Sequence, residues 1–133
     1  MKNEEYYVSK VDEDYLQMAT QAVAQAFEVD ADEVLGRRRT WPLVFARQTA
    51  YWLIHSGMRY TYCKTGRMFD RDHGGIMHGV NKVLEVLELD STSKNENGSW
   101  ANKIRKSKEL FIRFHEVYKE VNLKEAGDVV ETT

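Results

Sequence analysis

The stretch Gly66–Val83, GRMFDRDHGGIMHGVNKV, reads as the end of a short helix, a tight turn at Asp70-Arg71, and a longer helix entered through Asp72-His73. Ile76, Val80, Val83, Leu84 and Leu87 follow at helical spacing, which predicts a buried side for the second helix. This is the outline of a helix-turn-helix, in which the second helix lies in a DNA major groove and its first residues meet base edges. Arg71, Asp72 and His73 stand where such groups belong. The residues alone also fit a plainer reading, a turn followed by a core helix whose charged start is only an N-cap.

Charge separates the two readings. The net charge of −2 hides three unequal blocks. Residues 1–35 carry two bases against nine acids, a net of −7. Residues 36–73 carry eight bases against two acids, a net of +6. The remainder, with nine bases and ten acids, is close to neutral. A basic block inside a near-neutral chain suggests a surface for a polyanion, and it coincides with the helix-turn-helix pattern.

At 133 residues, with 42% hydrophobic and 30% charged side chains, the chain fits one domain with one core. No apolar run approaches the ~18–20 residues of a membrane span. The start, MKNEEYYVSK, lacks an apolar signal core, so a cytoplasmic, nucleoid-associated location is expected. A single cysteine, Cys63, rules out an internal disulfide and a multi-cysteine zinc site, and a buried or half-buried thiol is its default state.

Every element along the chain reads as helical. Residues 1–11 form an acidic arm. Asp12 is expected to cap a helix running to about Glu28, with a stripe of Tyr15, Leu16, Ala19, Ala22, Val23, Ala26 and Phe27. Asp30 and Glu33 read as a capping box, and Gly36 as a left-handed helix stop. A basic loop, Arg37-Arg38-Arg39-Thr40-Trp41, leads to Pro42 in the first turn of a helix that runs to Gly57. Along that helix Arg47, Tyr51 and His55 lie four apart, a row suited to phosphates or an ordinary wet face. Thr61 caps the short helix of the pair, with Tyr62, Thr65 and Phe69 turned inward, and the second helix reaches about Leu89. The domain therefore spans 12–90, followed by a polar linker at 91–98. An amphipathic helix at 99–122 and a tail at 123–133 complete the chain. In that last helix Trp100, Ile104, Ser107, Phe111, Phe114, Tyr118 and Val121 alternate in steps of four and three, widened by Leu110 and Val117.

From about Val23 to Val83 the chain resembles the C-terminal DNA-binding domain of the bacterial replication initiator DnaA. Three motifs carry the likeness: VAQAFEVDADEVLGRRRT, ARQTAYWL and GRMFDRDHGGIMHGVNKV. The resemblance implies an all-α, Trp-repressor-like helix-turn-helix bundle, here with a long extra C-terminal helix. It implies that Arg39, at the end of the basic loop with Arg37 and Arg38, enters a minor groove. Asp72 and His73, preceded by Arg71, would meet major-groove base edges. Arg47 and Gln48 match backbone-contacting positions, His55 a cationic phosphate contact, and Lys82 a basic position later in the reading helix.

The departures are specific. Gly74 and Gly75 replace two base-contacting threonines, the turn is one residue short, Thr65 replaces an apolar core residue, and Trp41 replaces a frequent second arginine. No GxxxxGK[ST] phosphate loop occurs in the 133 residues. Two functions are consistent with all this. One is a free-standing binder of double-stranded DNA, acting in replication or transcription control without ATPase activity. The other is an interaction module that kept the fold and works through its C-terminal helix. Packing of this stripe back onto the domain is the expected use of the last helix; a homodimer or helix partner would use the same Trp100, Ile104, Phe111, Phe114 and Tyr118. No catalysis, cofactor or metal is expected; His73 and His78, five apart, do not share a helical face.

Overall fold

Six α-helices carry the described residues of the computed structural model, 7–92 and 99–132, and no strand occurs among them. They are α1 (Lys10–Phe27), α2 (Ala31–Val34), α3 (Trp41–Met58), α4 (Tyr62–Phe69), α5 (His73–Thr92) and α6 (Ser99–Thr132). None of the described helices is long and apolar enough to cross a membrane.

Local chemistry sets the boundaries. Ser9, rather than Asp12, is the N-cap of α1: its hydroxyl accepts the Asp12 N–H at 3.1 Å, and the Asp12 carboxylate accepts the Ser9 N–H at 2.9 Å. Asp12 is the third helical residue of that capping box. It is almost fully buried, where it also receives the Tyr60 hydroxyl and lies 3.1 Å from Lys64 Nζ. Burial would raise its carboxyl pKa, but the bonds from Tyr60, Ser9 and Lys64 more than offset this and hold it below the usual value. Asp30 caps α2 through the Asp32 N–H at 2.9 Å. Glu33 does not complete a capping box; its carboxylate meets Arg38 at 3.1 Å. Nor is Gly36 a left-handed stop, since α2 ends on right-handed Leu35. Among the described residues the left-handed positions are Glu28, Arg59 and Asp70, which end α1, α3 and α4.

The core is built from Val23, Val34, Ala46, Ala50, Ile54, Ile76, Val83 and Ile104, all fully buried. Helix α5 crosses α3 at Gly79. A Cβ there would stand 2.8 Å from the Tyr51 ring and 3.1 Å from Gln48 Cγ, so the missing side chain sets the approach. The expected buried side of α5 is narrower than the spacing suggested: Ile76, Val80 and Val83 are buried, but Leu84 is exposed.

The C-terminal helix is part of this body. It lies mainly along α1 and also touches α3 and α5. Ala101, Ile104, Ser107 and Phe111 are buried, Trp100 and Phe114 are half-buried against the same core, and the half-buried Tyr118 sets its ring against Tyr15 and donates its hydroxyl to Asp14 at 3.0 Å. The five side chains, which the sequence offers either to the chain's own domain or to a second copy, pack within the chain. Ile112, Val117, Val121 and Leu123 are what α6 leaves exposed. Its length also differs from expectation, since Ser99–Thr132 takes in most of the supposed tail. Asp90, Ser91 and Thr92 belong to α5 rather than to a linker, and residues 93–98 lie outside the described residues. At the other end Lys10 and Val11 belong to α1, while residues 1–6 of the supposed arm are likewise outside.

Candidate nucleic-acid interface

The turn between α4 and α5 is shaped by Gly66. Its carbonyl accepts the Arg71 N–H at 2.8 Å, and a Cβ at position 66 would stand 2.5 Å from the Arg71 carbonyl oxygen. Only a residue without a side chain lets the chain double back this tightly. Helix α5 then starts on Asp72, whose carboxylate accepts the Gly74 N–H at 3.1 Å. The Asp72 carbonyl accepts the N–H groups of Gly75 and Ile76 at 3.0 and 3.2 Å. The second carboxylate oxygen lies 3.8 Å from His73 Nδ1, and both side chains are exposed. Capping and reading are therefore compatible at Asp72: one oxygen holds the helix, and the group still faces outward.

Arg71 has a different part. Its Nη2 donates to the Gly36 carbonyl at 2.7 Å, and its Nη1 donates to the carbonyls of Phe69 and Asp70 at 3.3 and 3.2 Å. It is a strut between the α4–α5 turn and Gly36, the residue just before the basic loop. Arg37, 3.7 Å from the Asp70 carboxylate, is a second tie between the same two segments. Arg38 turns back to Glu33. Arg39 is exposed and forms no ion pair among the described residues. Loop and helix start, thirty-odd residues apart in sequence, form one exposed basic face.

The row on α3 does not belong to that face. Arg47 is 8% exposed, with Nε donating to the Val34 carbonyl at 2.7 Å and Nη2 to the Glu33 carbonyl at 3.1 Å. It satisfies the orphan carbonyls at the end of α2, a positioning duty rather than a wet surface. Burial pulls its pKa below the usual value, and the neighbouring Arg71, Arg39 and Arg37 push the same way against Tyr51. Tyr51 is buried edge-on against Phe69 at 4.8 Å; burial raises its phenol pKa, against the pull of Arg71 and Arg47. Gln48 lies beneath Gly79 with its Oε1 buried and without a hydrogen-bond partner among the described residues. His55, about 12 Å along the helix from Arg47, gives its Nδ1–H to the Tyr60 carbonyl at 2.7 Å and stacks on Tyr62 at 4.2 Å. Lys82, about 13 Å along α5 from His73, pairs with Glu85 at 3.3 Å.

Of the ten residues singled out from sequence, Arg37, Arg38, Arg39, Arg71, Asp72 and His73 converge; Arg47 lies buried behind them, Gln48 lies beneath Gly79, and His55 and Lys82 lie further along α3 and α5. Sequence reading missed Cys63 and Arg67. With Gly66, Asp70, Arg71, Asp72 and His73 they line an open cleft of about 680 Å³ beside the start of α5. Cys63 is exposed, not half-buried. The available signal was spacing: Thr65 and Phe69 face the core, so Cys63 and Arg67, one turn apart, fall on the outer side.

Residues 17–83 match the family model described as the bacterial DnaA protein helix-turn-helix. The chromosomal replication initiator protein DnaA of Oenococcus oeni is 31% identical over 84 residues, which cover 62% of this chain and 19% of that protein. DnaA of Deinococcus deserti is 36% identical over 69 residues, covering 52% of this chain and 15% of that protein. DnaA 2 of Protochlamydia amoebophila is 31% identical over 74 residues, covering 56% and 16%. The chain thus spans less than a fifth of the length of these relatives.

Proposed function

This chain belongs to the bacterial DnaA helix-turn-helix family, and from that membership we propose that it binds double-stranded DNA. The start of α5 enters the major groove and Arg39 the adjacent minor groove. One observation carries this reading: the Arg71 guanidinium, bonded to the Gly36 carbonyl at 2.7 Å, holds the basic loop beside Asp72 and His73. The backbone segments that carry the two groove contacts are thereby held side by side before binding, which lowers the ordering cost of engaging both. Asp72 accepts from a base amino group, His73 packs on a base edge, and Arg39 follows a narrow, electronegative minor groove. Arg47 and Arg71 act behind this face, as the ties that set its shape.

The finer proposal is a free-standing regulator or competitor at initiator-like sites, acting on the nucleoid in replication or transcription control, with no ATPase step or other catalysis of its own. It rests on the composite face lying wholly within residues 36–73. An interaction module working through α6 is the weaker proposal, because Ile104 and Phe111 are spent inside the core.

Arg39→Ala is expected to weaken duplex binding by roughly 5- to 150-fold, the worth of one groove contact. It should also make the salt dependence shallower by about one unit of logarithmic slope. Fluorescence anisotropy on labelled duplexes across a salt series reads both quantities. An affinity and slope unchanged on every duplex would remove Arg39 from the interface.

A further inference from the structure

Trp41 stands at the junction of the basic loop and α3 and is 64% exposed. It is the outer end of a line of aromatic rings that begins in the core. Phe27 stacks on Trp100 with centroids 6.0 Å apart, Trp100 stacks on Phe45 at 4.6 Å, and Phe45 supports Trp41 at 5.6 Å with the planes tilted by 34°. The indole is therefore held from behind while most of its surface stays in water. An indole held in this way offers a large π face and a polar N–H at the surface, the combination for which tryptophan is enriched at interfaces. Its surroundings indicate the chemistry, because the residues just before it include the exposed Arg37, Arg38 and Arg39.

An aromatic platform bordered by cations matches the two halves of a nucleotide, a π-faced base on a phosphate chain. We propose that Trp41 stacks against a nucleobase of bound DNA, an added contact beside the groove contacts of the reading given above, on which this inference rests. The base comes either from an unpaired strand next to the duplex or from a base step that the indole itself wedges open. Neither source needs a side chain to titrate, and neither adds a charge.

That last property distinguishes stacking from the work of the arginines. The test compares the full chain with Trp41→Ala, Trp41→Leu and Trp41→Phe on a duplex carrying a single-stranded thymidine tail and on a blunt duplex, each over a salt series. Ala and Leu variants should lose about 5- to 150-fold in affinity on at least one of the two DNAs. The Phe variant should stay within about fivefold of wild type, because a π face is retained. The logarithmic salt slope should not change, since no phosphate contact is lost. A loss confined to the tailed duplex assigns the base to the unpaired strand; a loss on the blunt duplex assigns it to an opened step. Equal binding by wild type and Trp41→Ala on both DNAs overturns the proposal. So does a Phe variant as weak as Leu, or a loss accompanied by a shallower slope, because Trp41 would then act by packing or by placing the arginines. Melting temperatures of the variants guard against unfolding. Wild type that binds neither DNA would overturn the duplex-binding reading itself, a result distinct from failure at Trp41 alone.

Discussion

Phe111→Ala should lower the free energy of unfolding by about 3–5 kcal/mol, the usual cost of a phenyl ring removed from a closed core. Phe111 is 4% exposed and sits over α3 where a Cβ on Gly57 would come within 3.2 Å of its ring. On α6 it shares a stripe with the fully buried Ile104 and Ser107. The surroundings are helices held by their own packing, so little collapse into the vacated space is expected. Denaturant titration should show a lower midpoint with an unchanged slope, because the surface exposed on unfolding stays nearly the same. A loss under about 1 kcal/mol would mean that α6 is an appendage resting on the domain, as the split at residues 91–98 would have it.

The second large effect concerns specificity. Asp72 and His73 face outward, but Gly74 and Gly75 remove the side chains that would continue the reading along α5. Space exists for their return. A Cβ on Gly75 meets nothing within 4 Å, and one on Gly74 meets only the Asp72 carboxylate at 3.1 Å, which can give by a few tenths of an ångström. Each good base contact is worth about 1–3 kcal/mol of discrimination, so two threonines should add about one to four decades between a DnaA-type box and a scrambled duplex. Non-specific affinity should change far less, because the basic loop is untouched. The helix start should also gain slightly, since threonine is the better helix former. The comparison is the Gly74→Thr, Gly75→Thr double variant against wild type on both duplexes at matched salt. Should wild type already separate the two by several decades, the glycines cost nothing.

Sequence periodicity was a sufficient guide where one helix face meets one core. The stripe Ala19, Ala22, Val23, Ala26 and Phe27, and the run Ile76, Val80, Val83, are buried as their spacing implies. It was a poor guide where a polar side chain spends its hydrogen bonds within the fold. Arg47, with Tyr51 and His55, has the four-residue spacing of a phosphate row, yet the carbonyls that claim it belong to α2, thirteen and fourteen residues earlier. Nothing local announces such a partner. Arg71 is the same case at greater range, reaching Gly36 across thirty-five residues. Asp12 looked like a cap because aspartate is a good capping type just ahead of an apolar stripe. The reciprocal bonds place Ser9 first, and the burial of Asp12 depends on Tyr60 and Lys64, which are distant in sequence. Helix α6 was legible as amphipathic, but whether its stripe met its own domain or another chain turned on the fit of Phe111 over Gly57 and of Trp100 between Phe27 and Phe45.

The central claim is that a fixed basic face, loop and helix start together, engages duplex DNA. Affinity of the full chain for a box duplex and for a scrambled duplex, from roughly 50 to 200 mM salt, tests it most directly. With about four phosphates neutralised, the logarithm of affinity should fall linearly with the logarithm of salt at a slope near −3 to −4 on both duplexes. The two lines should run close together for wild type, given the glycines at 74 and 75. Binding that is undetectable on both duplexes, or that does not respond to salt, would contradict the claim.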